Sequence, residues 1–239
     1  MIASLLQASR RTVIFTGAGM STESGVPDFR SNQGLWWGKD PMALASIEAM
    51  RDNPQAFVEF YRGRIEALQS VTPHRGYGIL TDWGRQGRVQ SVITQNTDGL
   101  HEQAGNPGVI PIHGTIRSLH CVACRQVYPE QRYLTGQAEC DCGGFIRPSV
   151  VLFGEMLDDR AMRAAESAAR QAELFIVLGS SLVVSPANWL PRLAKEHDAH
   201  LVIVNQEPTP LDRLADHVIH GRKIGEVLQE AADELGARR

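Results

Sequence analysis

Apolar residues along this chain follow two rhythms. Five short aliphatic runs, at 12–16, 89–94, 109–112, 174–178 and 201–204, are nearly continuous. Between them lie longer stretches in which apolar positions recur every three or four residues. The short runs predict strands buried on both faces, as in a parallel sheet covered by helices on either side. The longer stretches predict helices: Phe57, Tyr61, Ile65 and Leu68 after an Asn53-Pro54 start, an alanine-rich segment over 159–171, and Ile224, Val227, Leu228, Ala231 and Leu235 on one face of a closing helix. Gly63 inside the first of these costs that helix about 1 kcal/mol relative to alanine.

Each aliphatic run ends in polar punctuation: Gly17-Ala18-Gly19, Gln95-Asn96-Thr97-Asp98, His113-Gly114, Gly179-Ser180-Ser181 and Asn205. In open α/β sheets ligands bind just beyond the carboxyl ends of the strands. Glycines, amides, one carboxylate and one imidazole gathered on that edge predict a site for a large polar cofactor. Taken alone, Gly17-x-Gly19 is also compatible with a simple tight strand-to-helix turn. Three residues after Gly19 stands Thr22 rather than a third glycine, and no strand ending in an acid follows about 20 residues later, so the usual dinucleotide fingerprint is incomplete.

Composition narrows the class. With 239 residues, 43% hydrophobic and 21% charged, the chain has the make-up of an ordinary globular protein. A net charge of -3 argues against general nucleic-acid affinity. No apolar stretch approaches the ~18 residues of a membrane span. The amino terminus lacks the basic start and apolar core of a signal peptide, so the expected location is cytoplasmic. The sheet-like runs form a first unit over 1–34, 73–115 and 150–239, interrupted by a helical insertion at 35–72 and a second insertion at 116–149.

The second insertion holds all four cysteines. Cys121 and Cys124 are separated by two residues, Cys140 and Cys142 by one, and 15 residues lie between the pairs. Two close thiolate pairs suit the tetrahedral sulfur site preferred by Zn²⁺, and a closed four-sulfur site is structural. Such an ion replaces a hydrophobic core for a short loop-rich segment. Free buried thiols and a redox pair are the competing readings. His120 adjoins Cys121, but four sulfurs already satisfy the ion. Arg117, Arg125 and Arg132 are too few to make the module a nucleic-acid binder. Of the eight histidines, His197, His200, His217 and His220 are expected in solvent, and His101 fills or caps a turn. His113 differs because it ends a strand on the proposed cofactor edge.

The continuation of the glycine loop reads Gly17-Ala-Gly-Met-Ser21-Thr-Glu-Ser24-Gly-Val-Pro-Asp28-Phe-Arg30-Ser, then Gly34-Leu-Trp36. It closely resembles the cofactor-binding signature of the sirtuins, the NAD-dependent protein deacylases. Further matches follow in order: Thr94-Gln95-Asn96-Thr97-Asp98-Gly99-Leu100-His101, His113-Gly114, Gly179-Ser180-Ser181-Leu182 and Val204-Asn205. Arg147-Pro148 with Val151-Leu152-Phe153-Gly154-Glu155 is similar to the family's peptide-binding strand. The resemblance spans residues from about 12 to 225.

This resemblance implies an α/β fold: a Rossmann-like domain, a small zinc-binding module and NAD in the cleft between them. Gly17, Ala18 and Gly19 would approach the phosphates, and Asp28, Phe29 and Arg30 would lie on a loop over the nicotinamide ribose. Gln95, Asn96 and Asp98 would line the nicotinamide pocket, with Asn96 and Asp98 positioning water and the amide. Gly179, Ser180 and Ser181 would add phosphate contacts, Asn205 would hold the adenosine ribose, and Lys223 and Ile224 would meet adenine. His113 would be the base. In the implied reaction the acyl oxygen of a modified lysine attacks the anomeric carbon and nicotinamide leaves. The adjacent ribose hydroxyl then loses a proton to an imidazole of near-neutral pKa. The products are free lysine and an acyl-ADP-ribose ester, and the zinc takes no part.

The partner implied is an acylated lysine of a protein or peptide. Val151, Phe153, Gly154 and Glu155, with Val183-Val184-Ser185 opposite, would flank it as an added strand, which makes sequence selectivity loose. Tyr61 and Arg64 are three apart and share a helix face. In sirtuins that remove succinyl or malonyl groups a Tyr-x-x-Arg pair contacts the acyl carboxylate, which arginine holds bidentately. Those enzymes carry alanine where this chain has Thr22 and threonine where it has Asp28, so deacetylation is the first expectation and desuccinylation the second. Protein ADP-ribosylation through the same NAD site is another alternative, as is a zinc-ribbon binding module indifferent to NAD. One departure from the family is Pro73-His74-Arg75-Gly76-Tyr77, which replaces its Pro-Asn-x-x-His and leaves the packing of the next helix open.

Overall fold

The computed structural model describes residues 1–29, 34, 35, 38 and 40–237. It runs α1 (Ile2–Ala8), β1 (Thr12–Thr16), a 3₁₀ turn (Ala18–Ser24), α2 (Pro41–Ala45), α3 (Ile47–Asp52), α4 (Pro54–Ala67) and α5 (Arg75–Arg85). Next come β2 (Val89–Thr94), α6 (Leu100–Ala104), β3 (Val109–Pro111), β4 (Gly114–Cys121), β5 (Val127–Pro129), α7 (Gln131–Leu134) and β6 (Ile146–Val150). There follow α8 (Asp159–Gln171), β7 (Leu174–Leu178), α9 (Trp189–Glu196), β8 (His200–Asn205), β9 (His217–His220) and α10 (Ile224–Ala237).

Six parallel strands form one sheet in the order β3-β2-β1-β7-β8-β9. Alternation with period two divides each central strand between two cores. Ile14, Ile176, Leu178, Val202 and Val204 meet Leu80, Trp83, Leu228 and Leu235 of α5 and α10 on one face. Val13, Phe15, Phe175, Val177, Leu201 and Ile203 meet Ala165, Ala169, Leu190 and Leu193 of α8 and α9 on the other. The Rossmann-like α/β expectation therefore stands. One detail is corrected: β3 is an edge strand whose residues are only partly buried, not a strand covered on both faces. A sixth parallel strand, β9, closes the opposite edge.

The second sheet, β5-β4-β6, is antiparallel. Phe57, Tyr61 and Ile65 of α4 share its core with Ile116, Leu119, Tyr133 and Ile146, so the two insertions meet in one small apolar cluster. The start of α4 is as its sequence predicts: Asn53 Oδ1 accepts the Ala56 amide at 3.2 Å, and Pro54 occupies the first turn. At the head of α5, His74 does the capping that an asparagine would do. Its Nδ1 accepts the Gly76 amide at 3.0 Å, so its Nε2 carries the proton and donates to the Met20 carbonyl at 2.8 Å. The departure at Pro73-His74 thus keeps the helix start and ties it to the loop after β1.

Candidate active site

Two glycine loops lie back to back at the carboxyl edge of the large sheet. Gly17 donates to Leu178 O at 3.1 Å, Gly19 to Gly179 O at 2.9 Å, and Gly179 to Val204 O at 2.8 Å. A Cβ on Gly19 would stand 2.8 Å from Gly179 Cα, and one on Gly179, at φ +65°, would meet Met20 N at 2.4 Å. The glycines are required first by the mutual approach of these loops. After Gly17 the chain enters a 3₁₀ turn ended by Gly25, not an α-helix, so no long helix dipole stands at this strand end.

These loops border a cavity of about 930 Å³. Gly17, Ala18, Gly19, Asp28, Phe29, Gln95, Asn96, His113, Gly179, Ser180, Ser181, Asn205, Lys223 and Ile224 all line it, as do Tyr61, Arg64, Val151, Phe153, Gly154 and Glu155. Arg30 lies outside the described residues, as do Ser31 and Trp36 of the same motif. Val184 and Ser185 border this cavity, while their neighbour Val183 is half exposed beside it. Asp98 lines an adjoining cavity of about 360 Å³, whose wall also includes Ala18, Ser21, Phe29, Arg64, Asn96 and Thr97.

Beneath the junction of the two cavities runs a buried polar network. Ser21 donates to Asp98 Oδ2 at 2.7 Å and receives hydrogen bonds from Asn96 Nδ2 at 3.0 Å and from the Tyr77 hydroxyl at 2.9 Å. Burial, reinforced by Asp98, holds the Tyr77 hydroxyl well above its usual pKa, so it stays protonated and donates. Asp98 Oδ1 accepts the Leu100 amide at 3.0 Å, and Asn96 Nδ2 also reaches Gly17 O at 2.9 Å. Asn96 Oδ1 is buried with no partner among the described residues. An orphaned acceptor on a residue that borders both cavities calls for a donor from a ligand, and a carboxamide N–H of a nicotinamide fits that need.

His113 follows β3 at the mouth of the cavity. Its Nδ1 lies 2.9 Å from Gln95 O and therefore donates, which leaves Nε2 with a lone pair. Burial lowers its pKa and the Gln95 carbonyl raises it by less, so the ring is a neutral base at physiological pH. Gly114, at φ +73°, brings the chain so close to β6 that a Cβ there would meet Ser149 O at 2.1 Å. The Val151 amide then bonds His113 O at 2.9 Å, joining the base to the segment expected to bind peptide. Glu155 borders the cavity, but its carboxylate is held by the buried Arg147 guanidinium and the Leu152 amide. It shapes that segment rather than offering a free charge.

Arg64 sits where the two cavities meet, its guanidinium 5.7 Å from the Phe29 ring centre and 5.8 Å from that of Phe60, with Thr97 Oγ1 at 3.5 Å. Burial lowers its pKa, opposed by Tyr61 and Asp98. The same burial pushes the Tyr61 hydroxyl up to about 12.

The four cysteines converge. Their sulfurs lie within 4.8 Å of one another, with Cys121–Cys142 at 3.5 Å and Cys124–Cys140 at 3.6 Å. A tetrahedron of ~2.3 Å Zn–S bonds has edges of about 3.8 Å, so the donor set fits one zinc ion. The Cys142 backbone amide, then the Tyr128 hydroxyl at 3.0 Å, pull the Cys140 thiol down to about 6, toward the thiolate a metal needs. His120 turns away, its Nδ1 3.0 Å from Ser149 Oγ. His101 is a core histidine 2.9 Å from Thr16 Oγ1. His197, His200, His217 and His220 are exposed, although His220 pairs with Asp212 at 2.9 Å. Sequence reasoning did not single out Ser21 or Tyr77. Ser21 stood within the glycine signature, and Tyr77 within the one segment that departs from it.

Comparison with known proteins agrees with this geometry. A family profile described as "Sir2 family" matches residues 17–186. The chain is 58% identical over 237 residues to a protein of Halalkalibacterium halodurans named NAD-dependent protein deacetylase, covering 99% of this chain and 100% of that one. Among solved structures, a Sir2 enzyme with a p53 peptide and NAD⁺ is similar at TM-score 0.89 and 36% identity, covering 99% of this chain and 98% of that one. A Sir2 variant with a deacetylated p53 peptide and 3'-O-acetyl ADP ribose is similar at TM-score 0.92 and 36% identity, covering 98% and 97%.

Proposed function

This chain belongs to the Sir2 family, and on that footing we propose how its own residues carry out the family's reaction. It is an NAD-dependent protein deacetylase that transfers the acyl group of an acyl-lysine to ADP-ribose and releases nicotinamide. NAD supplies the electrophilic ribose carbon and the nicotinamide leaving group. Gly17–Gly19 and Gly179–Ser181 receive the phosphates at the sheet edge, and Asn205, Lys223 and Ile224 hold the adenosine end. Asn96 accepts the carboxamide through its orphaned Oδ1, while Ser21, Tyr77 and Asp98 keep it oriented. His113 Nε2 takes the ribose hydroxyl proton, its tautomer set by the Gln95 carbonyl. The acyl-lysine peptide lies between 151–155 and 184–185, where Asp28 and Phe29 border the same cavity. The four cysteines hold one structural zinc.

The observation that carries this reading is a His113 whose Nδ1 is taken by the Gln95 carbonyl, leaving Nε2 with its lone pair, on the cavity that both glycine loops border. The test is an acetyl-lysine peptide with NAD, following nicotinamide and free lysine together. One nicotinamide per lysine is expected, with loss of both in His113→Ala; acyl removal without equivalent NAD consumption would refute the scheme. Retention of radiolabelled ADP-ribose on denatured protein would instead favour ADP-ribosylation.

A second activity on anionic acyl groups is supported by Arg64, a half-buried residue whose guanidinium is packed against rings and which borders the acyl cavity. Tyr61, protonated to about pH 12, can donate beside it. Succinyl-peptide turnover lost in Arg64→Ala while acetyl-peptide turnover persists is the expected result.

We further propose that 1–34, 73–115 and 150–239 act as the NAD-binding unit, 35–72 as the helical insertion of the small domain and 116–149 as the zinc module. The shared core of α4 with β4 and β6 supports that division. No helix among the described residues is long and apolar enough to cross a membrane. Cysteines gathered for a metal rather than for disulfides suit a reducing compartment, which supports a cytoplasmic setting.

A further inference from the structure

The main cavity extends past the residues assigned above, into a notch between α8 and the start of α9. Met162 and Glu166 line one wall, and Pro186 and Trp189 the other. Met162 and Glu166 are four apart on α8, so they share a helix face beside the buried Ala165 and Ala169. Met162 and Trp189 both pack partly against the core beneath. Glu166 is half-buried, and among the described residues its carboxylate has no hydrogen-bond or ion-pair partner. By contrast, Asp159 at the head of the same helix has Arg163 within 3.8 Å.

A carboxylate on a cavity wall with no partner of its own is open to pairing with a cation that enters. An indole on the facing wall adds cation–π attraction and an apolar bed for a long side-chain stem. The notch continues directly from Ser185, on one side of the proposed peptide path.

We propose that this notch is a subsite for a lysine or arginine side chain on a residue flanking the acyl-lysine, with Glu166 as its counter-charge and Trp189 as its wall. The assignment rests on the deacylase reading and gives the enzyme a side-chain preference that backbone pairing alone does not.

The test uses acetyl-lysine peptides with alanine at three positions on either side, and two series carrying one arginine or one glutamate at each position in turn. The readout is the ratio of kcat/KM for each arginine peptide to that of the all-alanine peptide within one enzyme, which cancels any general loss of activity. In the parent, one position is expected to give a ratio of about five, shrinking at high salt. Glu166→Gln is expected to bring that ratio near one, and Glu166→Lys to invert it in favour of a glutamate at the same position. A parent ratio near one at every position, or a preference unchanged in Glu166→Gln, would overturn the subsite while leaving the deacylase reading intact. Failure of the parent to turn over even the all-alanine peptide would overturn both.

Discussion

Arg117 donates its Nε–H to the carbonyl of Asp98 at 2.7 Å, and so a side chain from the zinc module holds the loop of the smaller cavity. Its other nitrogens reach Glu130 Oε1 at 3.1 Å and Leu68 O at 3.4 Å, and the Ile116 amide next to it bonds Thr97 O at 2.9 Å. One guanidinium thus joins β4, the end of α4 and the 97–98 loop. Arg117→Ala should raise the NAD KM and weaken nicotinamide inhibition about tenfold, while peptide KM changes little. It also removes the counter-charge of the nearly buried Glu130, which keeps only the 3.4 Å hydrogen bond from Gln69, at a cost of about 1–3 kcal/mol. Lysine should rescue only in part, because it lacks the planar fork. Steady-state kinetics with nicotinamide as inhibitor checks this; equal loss in both KM values would point to general unfolding instead.

The role proposed for His113 as base sets the acid limb of activity. Burial disfavours its charged form, so the folded pKa lies below the ordinary value of ~6.5. The neutral base persists to lower pH than a solvated histidine would allow, and kcat/KM should fall only below that value. Stability moves with the same sign. His101 is also lowered, chiefly by burial. The unfolded chain therefore binds protons that the folded chain refuses as pH drops through ~6.5, and stability is lost toward the folded pKa values. Denaturant melts at pH 7.5 and pH 5.5 in parent and His101→Asn should show this slope reduced in the variant.

Much of this architecture was legible because the forces behind it are local. Strands β1, β2, β7 and β8 announce themselves as aliphatic runs, and the four cysteines by their spacing. What escaped is what depends on distant partners or on an edge. Strand β9 offers only Val218 and Ile219 between two histidines and is largely exposed, so no burial pattern marks it. The run at 109–112 is equally aliphatic yet lies on the outer side of β2, a fact of sheet order that no local pattern holds. Val183 and Val184 cannot be told apart in an irregular loop. The contacts of Arg117 with Asp98 and of Tyr77 with Ser21 span 19 and 56 positions, beyond any periodicity.

Metal removal should act on the second core before the sheet. Cys121 and Cys140 belong to the cluster of Phe57, Ile116 and Tyr133, while the sheet has its own cores on both faces. Strand β4 begins one residue after His113 and ends on Cys121, so disorder of the module reaches the proposed base directly. A strong chelator is expected to release one zinc per chain and abolish activity, with most of the far-UV circular dichroism retained. Full activity after measured zinc release would refute the coupling.

Within α5, three glycines share one backbone conformation but differ in surroundings. Replacing a helical glycine by alanine gains about 1 kcal/mol of propensity, and the space around each Cβ decides whether that gain survives. Gly78 is exposed, and a methyl group added there would meet nothing within 4 Å, whereas Gly84 would drive its Cβ to 2.3 Å from Cγ of Pro107. A pyrrolidine ring cannot swing aside as a flexible chain does. Gly78→Ala should therefore raise Tm by about 2–4 °C, and Gly84→Ala should lower it. Gly76 stands between the two cases, because its Cβ would press on the His74 imidazole at 2.5 Å and disturb the cap that ties α5 to Met20. Gly76→Ala should lose stability and also weaken NAD binding, which Gly84→Ala should not do once temperature is scaled to each Tm. Thermal melts with and without NAD separate these outcomes, since only a variant that disturbs the cofactor loop loses the ligand-induced shift.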